Sequence, residues 1–391
     1  MKILAIETSC DETAISLFTA TETSSGVAFT ILSNITHSQV DMHMQYGGVF
    51  PQLAKREHQR NLVPILLKTL GLDMVEKSSE QNSDIIAILE RESELLEQFN
   101  KYILSIPKPD IDVICVTSGP GLEPALWVGI SFAKALGKLW NIPVVPVNHM
   151  EGHILSVLVP ENNSSSFSVS TELFPFPALA VLISGGHTEI VLVRDLGDYE
   201  IVGKTRDDAV GEAFDKVARI LGLPYPGGPE VSKLALHHDK TAHSSIVLPR
   251  PMIHSKDYDF SFSGLKTAVL YAVRDIKLAN SDTIPGHLKS EIAYEFQEAA
   301  AEVITKKTCD AIRDFGVQTL IVGGGVSANN RIKELLKEKA SEIIEPNQIH
   351  FPARELTGDN ALMIGLAGYF KYKKNPDSNY QDFRAEGNLS F

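Results

Sequence analysis

His149-Met150-Glu151-Gly152-His153 places two imidazoles four residues apart. On a helix those positions lie one above the other, so both rings can reach one metal ion. The spacing resembles the peptidase signature H-E-x-x-H, whose glutamate follows the first histidine and acts as base on metal-bound water. Here Met150 holds that place and Glu151 points to another part of the helix circumference, so the geometry is poor for peptide cleavage. Two such histidines can also be helix-end side chains bonded to the backbone. A metal site needs a third ligand, and the best-spaced candidate is Asp359, at the start of a C-terminal apolar helix. Its alternative role there is an N-cap. Two histidines and one aspartate with open positions suit Fe(II) or Zn(II) as a Lewis acid.

A second candidate is the turn Cys10-Asp11-Glu12-Thr13. Adjacent carboxylates in a tight turn repel each other. Turns favour Asp in any case, but a pair aimed into a cleft can serve as base or proton relay. A third is the amphipathic stretch from Asp207 through Asp215 to Arg219, followed by Tyr225-Pro226-Gly227-Gly228-Pro229. Asp215 on such a helix is ordinarily a solvated charge. Beside a Gly-Gly-Pro turn it can instead take a ribose hydroxyl.

The elements that must carry these residues repeat. Lys2–Leu17 and Leu179–Val193 each read as two apolar strands around a small or polar loop, the second loop being Ser184-Gly185-Gly186-His187. Asp112–Val116 and Gln318–Val322 each run through a glycine-rich turn into a helix. One such turn is weak evidence for phosphate binding; two matched hairpins and two matched βα turns in the same order predict a duplicated α/β domain with a cleft between the copies. The expected lobes are residues 1–146, with helix 359–391 packing back on them, and residues 147–358. Two segments look added. Residues 74–109 hold a polar run and one acidic amphipathic helix, roughly Ile85 to Leu104, read as a surface excursion or a partner-docking element. Residues 161–172 are Ser/Asn-rich and read as a mobile loop.

The chain has 391 residues, enough for two domains, with 43% hydrophobic and 22% charged residues as in soluble globular proteins. No secretory signal and no membrane-length apolar run is read. Cys10, Cys115 and Cys309 form neither a disulfide framework nor a CxxC pair, which points to a reducing, cytoplasmic setting. A net charge of −13 argues against gripping nucleic acid by bulk electrostatics, though a basic patch can still present one.

Taken together the motifs resemble one family, the tRNA N6-adenosine threonylcarbamoyltransferases, once called glycoproteases. The resemblance runs along almost the whole chain. It rests on Ile6 to Thr13, Gly47-Gly48-Val49-Phe50-Pro51, Ala54-Lys55-Arg56-Glu57-His58, Gly119 to Leu122 and His149 to His153. It continues through Ser184 to Thr188, Gly211 to Lys216, Pro226 to Pro229, Phe262 to Thr267, Gly324 to Asn329 and Asp359-Asn360-Ala361. It implies an actin-like, sugar-kinase-like (ASKHA) fold. It also implies transfer of the threonylcarbamoyl group of L-threonylcarbamoyl-AMP to N6 of adenosine 37 in tRNAs reading codons that begin with A.

Carried over by position, the resemblance makes His149, His153 and Asp359 ligands of one divalent metal ion per chain, Fe(II) favoured and Zn(II) the alternative. Leu182, Ile183, Ser184, Gly185 and Gly186 become a substrate loop. Asp215, Gly228 and Asn329 become further substrate contacts, and Asp11 and Glu12 acidic residues needed for activity. It further implies a shorter paralogous subunit and a P-loop ATPase as partners, with no membrane involved. Lys55, Arg56 and Arg60 form a basic cluster suggested for tRNA contact, or else a solvated helix face. The chain departs from many relatives at Gly358, before the aspartate, and at Ser232, where some relatives place an acid.

Overall fold

The computed structural model describes all residues except 77–81, 162–163, 171–173, 240–245, 377, 379 and 381. The chain divides into two compact units. Unit 1 comprises residues 1–42, 49–173 and 358–391, and unit 2 residues 43–48 and 174–357.

Unit 1 is built on six strands: β1 (Lys2–Glu7), β2 (Glu12–Thr23), β3 (Gly26–Ser38), β4 (Val113–Gly119), β5 (Val144–Asn148) and β6 (Ser166–Ser170). Their order is β5-β4-β1-β2-β3-β6. β1 pairs antiparallel with β2 and parallel with β4, and β4 pairs parallel with β5. β1 and β4 are apolar on both faces because both faces are covered. Leu4, Ile6, Ile114 and Val116 face a core shared with helices Pro51–Thr69, Ser83–Leu89, Ser93–Tyr102 and Glu123–Trp140. On the other face lies the last helix, Ala361–Lys374. It approaches closely because Gly365 and Gly368 carry no Cβ; one added there would overlap the Phe18 ring or Cys115 Sγ. Gly368→Ala should therefore cost about 1–3 kcal/mol of overpacking, seen as a lower denaturation midpoint at unchanged m-value.

Unit 2 repeats the plan. Its strands are β7 (Ala178–Ile183), β8 (Thr188–Asp195), β9 (Asp198–Lys204), β10 (Thr319–Gly323) and β11 (Ile349–His350), in the order β11-β10-β7-β8-β9. β7 pairs antiparallel with β8 and parallel with β10, as β1 does with β2 and β4. The duplication read from the motifs is thus present as matching strand order and direction. Leu179, Val181 and Ile183 pack with Phe214, Val217 and Phe296 in one core. No helix among the described residues is long and apolar enough to cross a membrane.

Three expectations need correction. The change of unit falls after residue 173 rather than at 146/147. Helix His149–Leu155 continues directly from β5, and Gly152 lets Met363 and Ile364 of the last helix pack against it. The segment 161–172 is not simply a loop, since β6 within it pairs antiparallel with β3. Its serines hide a two-residue alternation that buries Phe167 and Val169, with Phe167 stacked on Phe29 at 5.3 Å. The inserted helix 85–104 is two helices, Ser83–Leu89 and Ser93–Tyr102. Asn82 caps the first, accepting from Asp84 and Ile85 N–H. The break between them turns Glu92 inward to Lys55 (3.1 Å) and Gln59 (2.8 Å). Ile85, Leu89, Leu95 and Phe99 are fully buried in the unit's own core. Much of the polar run before them lies outside the described residues.

Candidate metal centre and substrate residues

His149 and His153 lie on the short helix His149–Leu155, capped by Asn148 Oδ1, which accepts from Met150 N–H at 2.9 Å. Both rings are buried and stand edge to face, 4.7 Å apart. Their Nε2 atoms each lie 3.3 Å from one oxygen, Asp359 Oδ1. Donors about 2.0–2.2 Å from a shared ion lie roughly 3.0–3.5 Å apart at tetrahedral or octahedral angles. The three ligand atoms fall within 4.8 Å of one another and form the metal-spaced group of His, Cys, Asp and Glu among the described residues. In the fully buried His153 ring, Nδ1 has no hydrogen-bond partner and Nε2 meets only Asp359, at 3.3 Å. A ring nitrogen buried without a partner costs free energy unless something else binds it. Asp359 is not the helix cap; Asn360 is, its side chain accepting from Met363 N–H at 3.0 Å. The carboxylate is therefore free for another purpose.

Behind this group stands a residue the motif reading passed over. Glu7 ends β1 and is fully buried. Its Oε2 accepts from Thr117 Oγ1 at 2.5 Å and lies 3.1 Å from His149 Nδ1; its Oε1 accepts from Ser9 N–H. A carboxylate behind a histidine fixes the tautomer that leaves Nε2 open toward a metal. Burial works against a charged His149, but Asp359 and Glu7 outweigh it and hold the ring well above the usual histidine pKa. His153 lies below that value, chiefly through burial. Burial also opposes the charge on Asp359, yet His149 and the bonds from both histidines hold it far below the usual carboxylate range. The signal for Glu7 was in the sequence: an acid that continues an otherwise buried apolar strand.

The acidic turn belongs to the same unit and feels the same charge. Burial and then the charges of Asp11 and Asp359 push Glu12 well above the usual carboxylate value. Cys10 is pushed up by burial and by Asp11, Asp359 and Glu12, so its thiol stays protonated. Glu12 Oε1 accepts from Ser38 Oγ at 3.1 Å. The glycine-rich turn after β4 is not open to a phosphate. The C-terminal segment crosses it, Glu386 N–H donating to Ser118 O (2.9 Å) and Gly121 N–H to Gly387 O (3.1 Å). Leu122 N–H, at the start of the following helix, donates to Ser9 O. The basic cluster is likewise spoken for. Lys55 pairs with Glu92 (3.1 Å), Arg56 with Glu57 (3.6 Å), and Arg60 with Glu57 and Glu94 (2.9 and 2.8 Å). Lys55 is the most enclosed of the three, while Arg56 and Arg60 remain about half exposed, and pairs at such exposure are weak.

The proposed substrate residues belong to unit 2. Leu182 and Ile183 are fully buried strand residues, so their side chains cannot touch a ligand. Gly185 and Gly186 are exposed, with open space where a side chain would sit. The turn is closed by His187 N–H donating to Ser184 Oγ at 3.0 Å, and it packs on Gly211 at the start of helix Val210–Leu221. Asp215 Oδ1 accepts from Gly227 N–H at 2.7 Å at the start of helix Gly227–Ala235. Burial raises its pKa, against the opposing pull of the Gly227 and Gly228 amides. Asn329 is occupied: its Oδ1 caps helix Asn330–Ala340, and its Nδ2 donates to Ser232 Oγ (2.9 Å) and Gln297 Oε1 (3.1 Å). Both Nδ2 hydrogens are used, so a ligand would meet the second lone pair of Oδ1 or replace an Nδ2 bond.

Comparison with known structures agrees with a duplicated α/β protein of the ASKHA type. Full-length HypF, solved with phosphate and nucleotide bound, superposes with TM-score 0.51 at 12% identity over 97% of this chain and 47% of HypF. Sequence carries the assignment further. The family model for TsaD, tRNA N6-adenosine threonylcarbamoyltransferase, matches residues 30–87 and 94–366. The enzyme of that name from Paraburkholderia xenovorans (strain LB400) is 40% identical over 98% of this chain and 96% of its own. That from Thermosipho africanus (strain TCF52B) is 42% identical over 97% of each. The chain belongs to the tRNA N6-adenosine threonylcarbamoyltransferase family.

Proposed function

We propose that the protein transfers the threonylcarbamoyl group of L-threonylcarbamoyl-AMP to N6 of adenosine 37 in tRNAs reading codons that begin with A. Within the family assignment, the observation that supports this most is the convergence of His149 and His153 Nε2 on Asp359 Oδ1, each at 3.3 Å. His149, His153 and Asp359 would hold one divalent ion. A His₂-carboxylate set with open positions favours Fe(II), with Zn(II) the alternative. Bound there, the ion would act as a Lewis acid that orients the acyl group and offsets developing negative charge.

The donor is already activated, so no covalent nucleophile is required. N6 attacks the carbamoyl carbon, the bond to the phosphate oxygen breaks, and AMP leaves with the electron pair. The proton lost from N6 needs an acceptor, and Glu12 or Asp11 takes it. Glu12 suits this better, because a carboxylate of raised pKa holds the proton more readily. Gly185 and Gly186 offer backbone to the phosphate, and Asp215 and Gly228 serve the ribose. Leu182 and Ile183 would contribute only as the strand that sets the loop, and Asn329 through the second lone pair of its Oδ1. The reaction is proposed to run in the cytoplasm with a shorter paralogous subunit and a P-loop ATPase. Three free cysteines accord with a reducing compartment.

The decisive experiment incubates the metal-loaded protein and its proposed partners with tRNA and purified adenylate, then analyses the nucleosides by mass. Threonylcarbamoyladenosine at position 37 is expected; its absence would refute the assignment. The base must be ionised to accept a proton, so raising its pKa moves the acid limb of the rate profile upward. The transfer rate should therefore fall with decreasing pH above the usual carboxylate range. In Glu12→Gln that limb should vanish and the rate drop by about 10²–10⁴-fold. An unchanged limb in the variant assigns the proton to another group.

A further inference from the structure

The motif Ala54-Lys55-Arg56-Glu57-His58 contains a buried histidine that the reaction above does not use. Pro51 starts its helix, and His58 lies on the inner face with no exposed surface. Its Nε2 is 3.0 Å from Cys10 O, and its Nδ1 is 2.7 Å from Thr13 Oγ1 and 3.4 Å from Gln39 Nε2. A carbonyl only accepts, so Nε2 carries the hydrogen and Nδ1 is the acceptor for the Thr13 hydroxyl; the network assigns this tautomer. One rigid ring therefore joins the two ends of Cys10-Asp11-Glu12-Thr13. Gln39 N–H adds a bond to Asp11 O at 2.9 Å, between those ends.

We infer that His58 is a positioning residue, which braces the turn so that Asp11 and Glu12 are held where the proton must be accepted. The inference rests on the transfer reaction proposed above. A positional error of about 1 Å at a reacting group can cost up to 10²-fold in rate. Leucine at 58 fills the space but leaves the Cys10 carbonyl and Thr13 hydroxyl without this partner. Glutamine can keep an N–H directed at Cys10 O.

The test compares the full chain, its His58→Leu form and its His58→Gln form, each loaded with metal and assayed with the same partners, adenylate and tRNA. In His58→Leu kcat should fall about tenfold, while the adenylate KM and the metal content stay at the parent values. Amide exchange across residues 10–13 should quicken. His58→Gln should recover part of both. The role is refuted if His58→Leu keeps the parent kcat, or if kcat falls only in proportion to metal lost. A parent that transfers nothing overturns the functional reading, and with it the catalytic consequence. Unchanged exchange across residues 10–13 refutes the brace whatever the activity.

Discussion

Asp359→Ala is expected to empty the metal centre and to lower threonylcarbamoyl transfer by roughly a thousandfold, about 4 kcal/mol of barrier. Asp359 Oδ1 is the point on which both histidine Nε2 atoms converge. Without it two ligands remain, where catalytic sites of this type use three. The fold of the last helix is not at stake, because Asn360 supplies the cap. Protonation does not explain the loss either. Asp359 is the foremost influence holding the His149 pKa up against burial. Removing it lowers that pKa, which by itself favours the neutral imidazole a metal requires. The variant should thus bind less metal although its histidine is easier to deprotonate, and that combination isolates the missing ligand as the cause. Metal content after anaerobic loading, an NMR titration of His149 and nucleoside mass analysis give the three readings. Parental transfer by a metal-free variant would remove Asp359 and the ion from the mechanism together.

The framework of the site was legible because it is written in patterns local to the chain. Apolar runs closing on Ser184-Gly185-Gly186 and on the Cys10–Thr13 turn predict hairpins, and both hairpins form. The four-residue spacing of His149 and His153 predicts two rings on one helix face, and they stand together. What stayed hidden depends on contacts distant in sequence. Leu182 and Ile183 look like loop residues until the sheet is assembled and buries their side chains. The turn Gly119–Gly121 looks like a phosphate loop until residues 386–387 cross it, more than 250 positions later in the chain. The Lys55–Arg60 cations look unpaired until Glu92 and Glu94, from the inserted segment, come to lie beside two of them. β6 was hidden by composition, since serine says little while the alternation of Phe167 and Val169 says strand.

Glu7 shows how the strand geometry and the chemistry depend on each other, and Glu7→Gln should expose it. The carboxylate meets three donors: Ser9 N–H, Thr117 Oγ1–H and His149 Nδ1–H. A carboxylate only accepts and can serve all three. The isosteric amide has one oxygen and one NH₂ group, so it must present a donor to at least one of them. If the oxygen turns toward Thr117 and His149, the NH₂ meets the Ser9 amide head on. If it turns toward Ser9, the NH₂ faces His149 Nδ1 and pulls the ring into the other tautomer. Nε2 then carries a hydrogen and cannot ligate. Metal affinity should fall about 10- to 100-fold, read by competition against a chelator of known affinity. Because all three ligands remain, transfer should return toward the parent rate at saturating metal, which Asp359→Ala should not allow. Parental affinity in Glu7→Gln would mean that Glu7 only fills the end of β1, and that His149 is oriented by its helix alone.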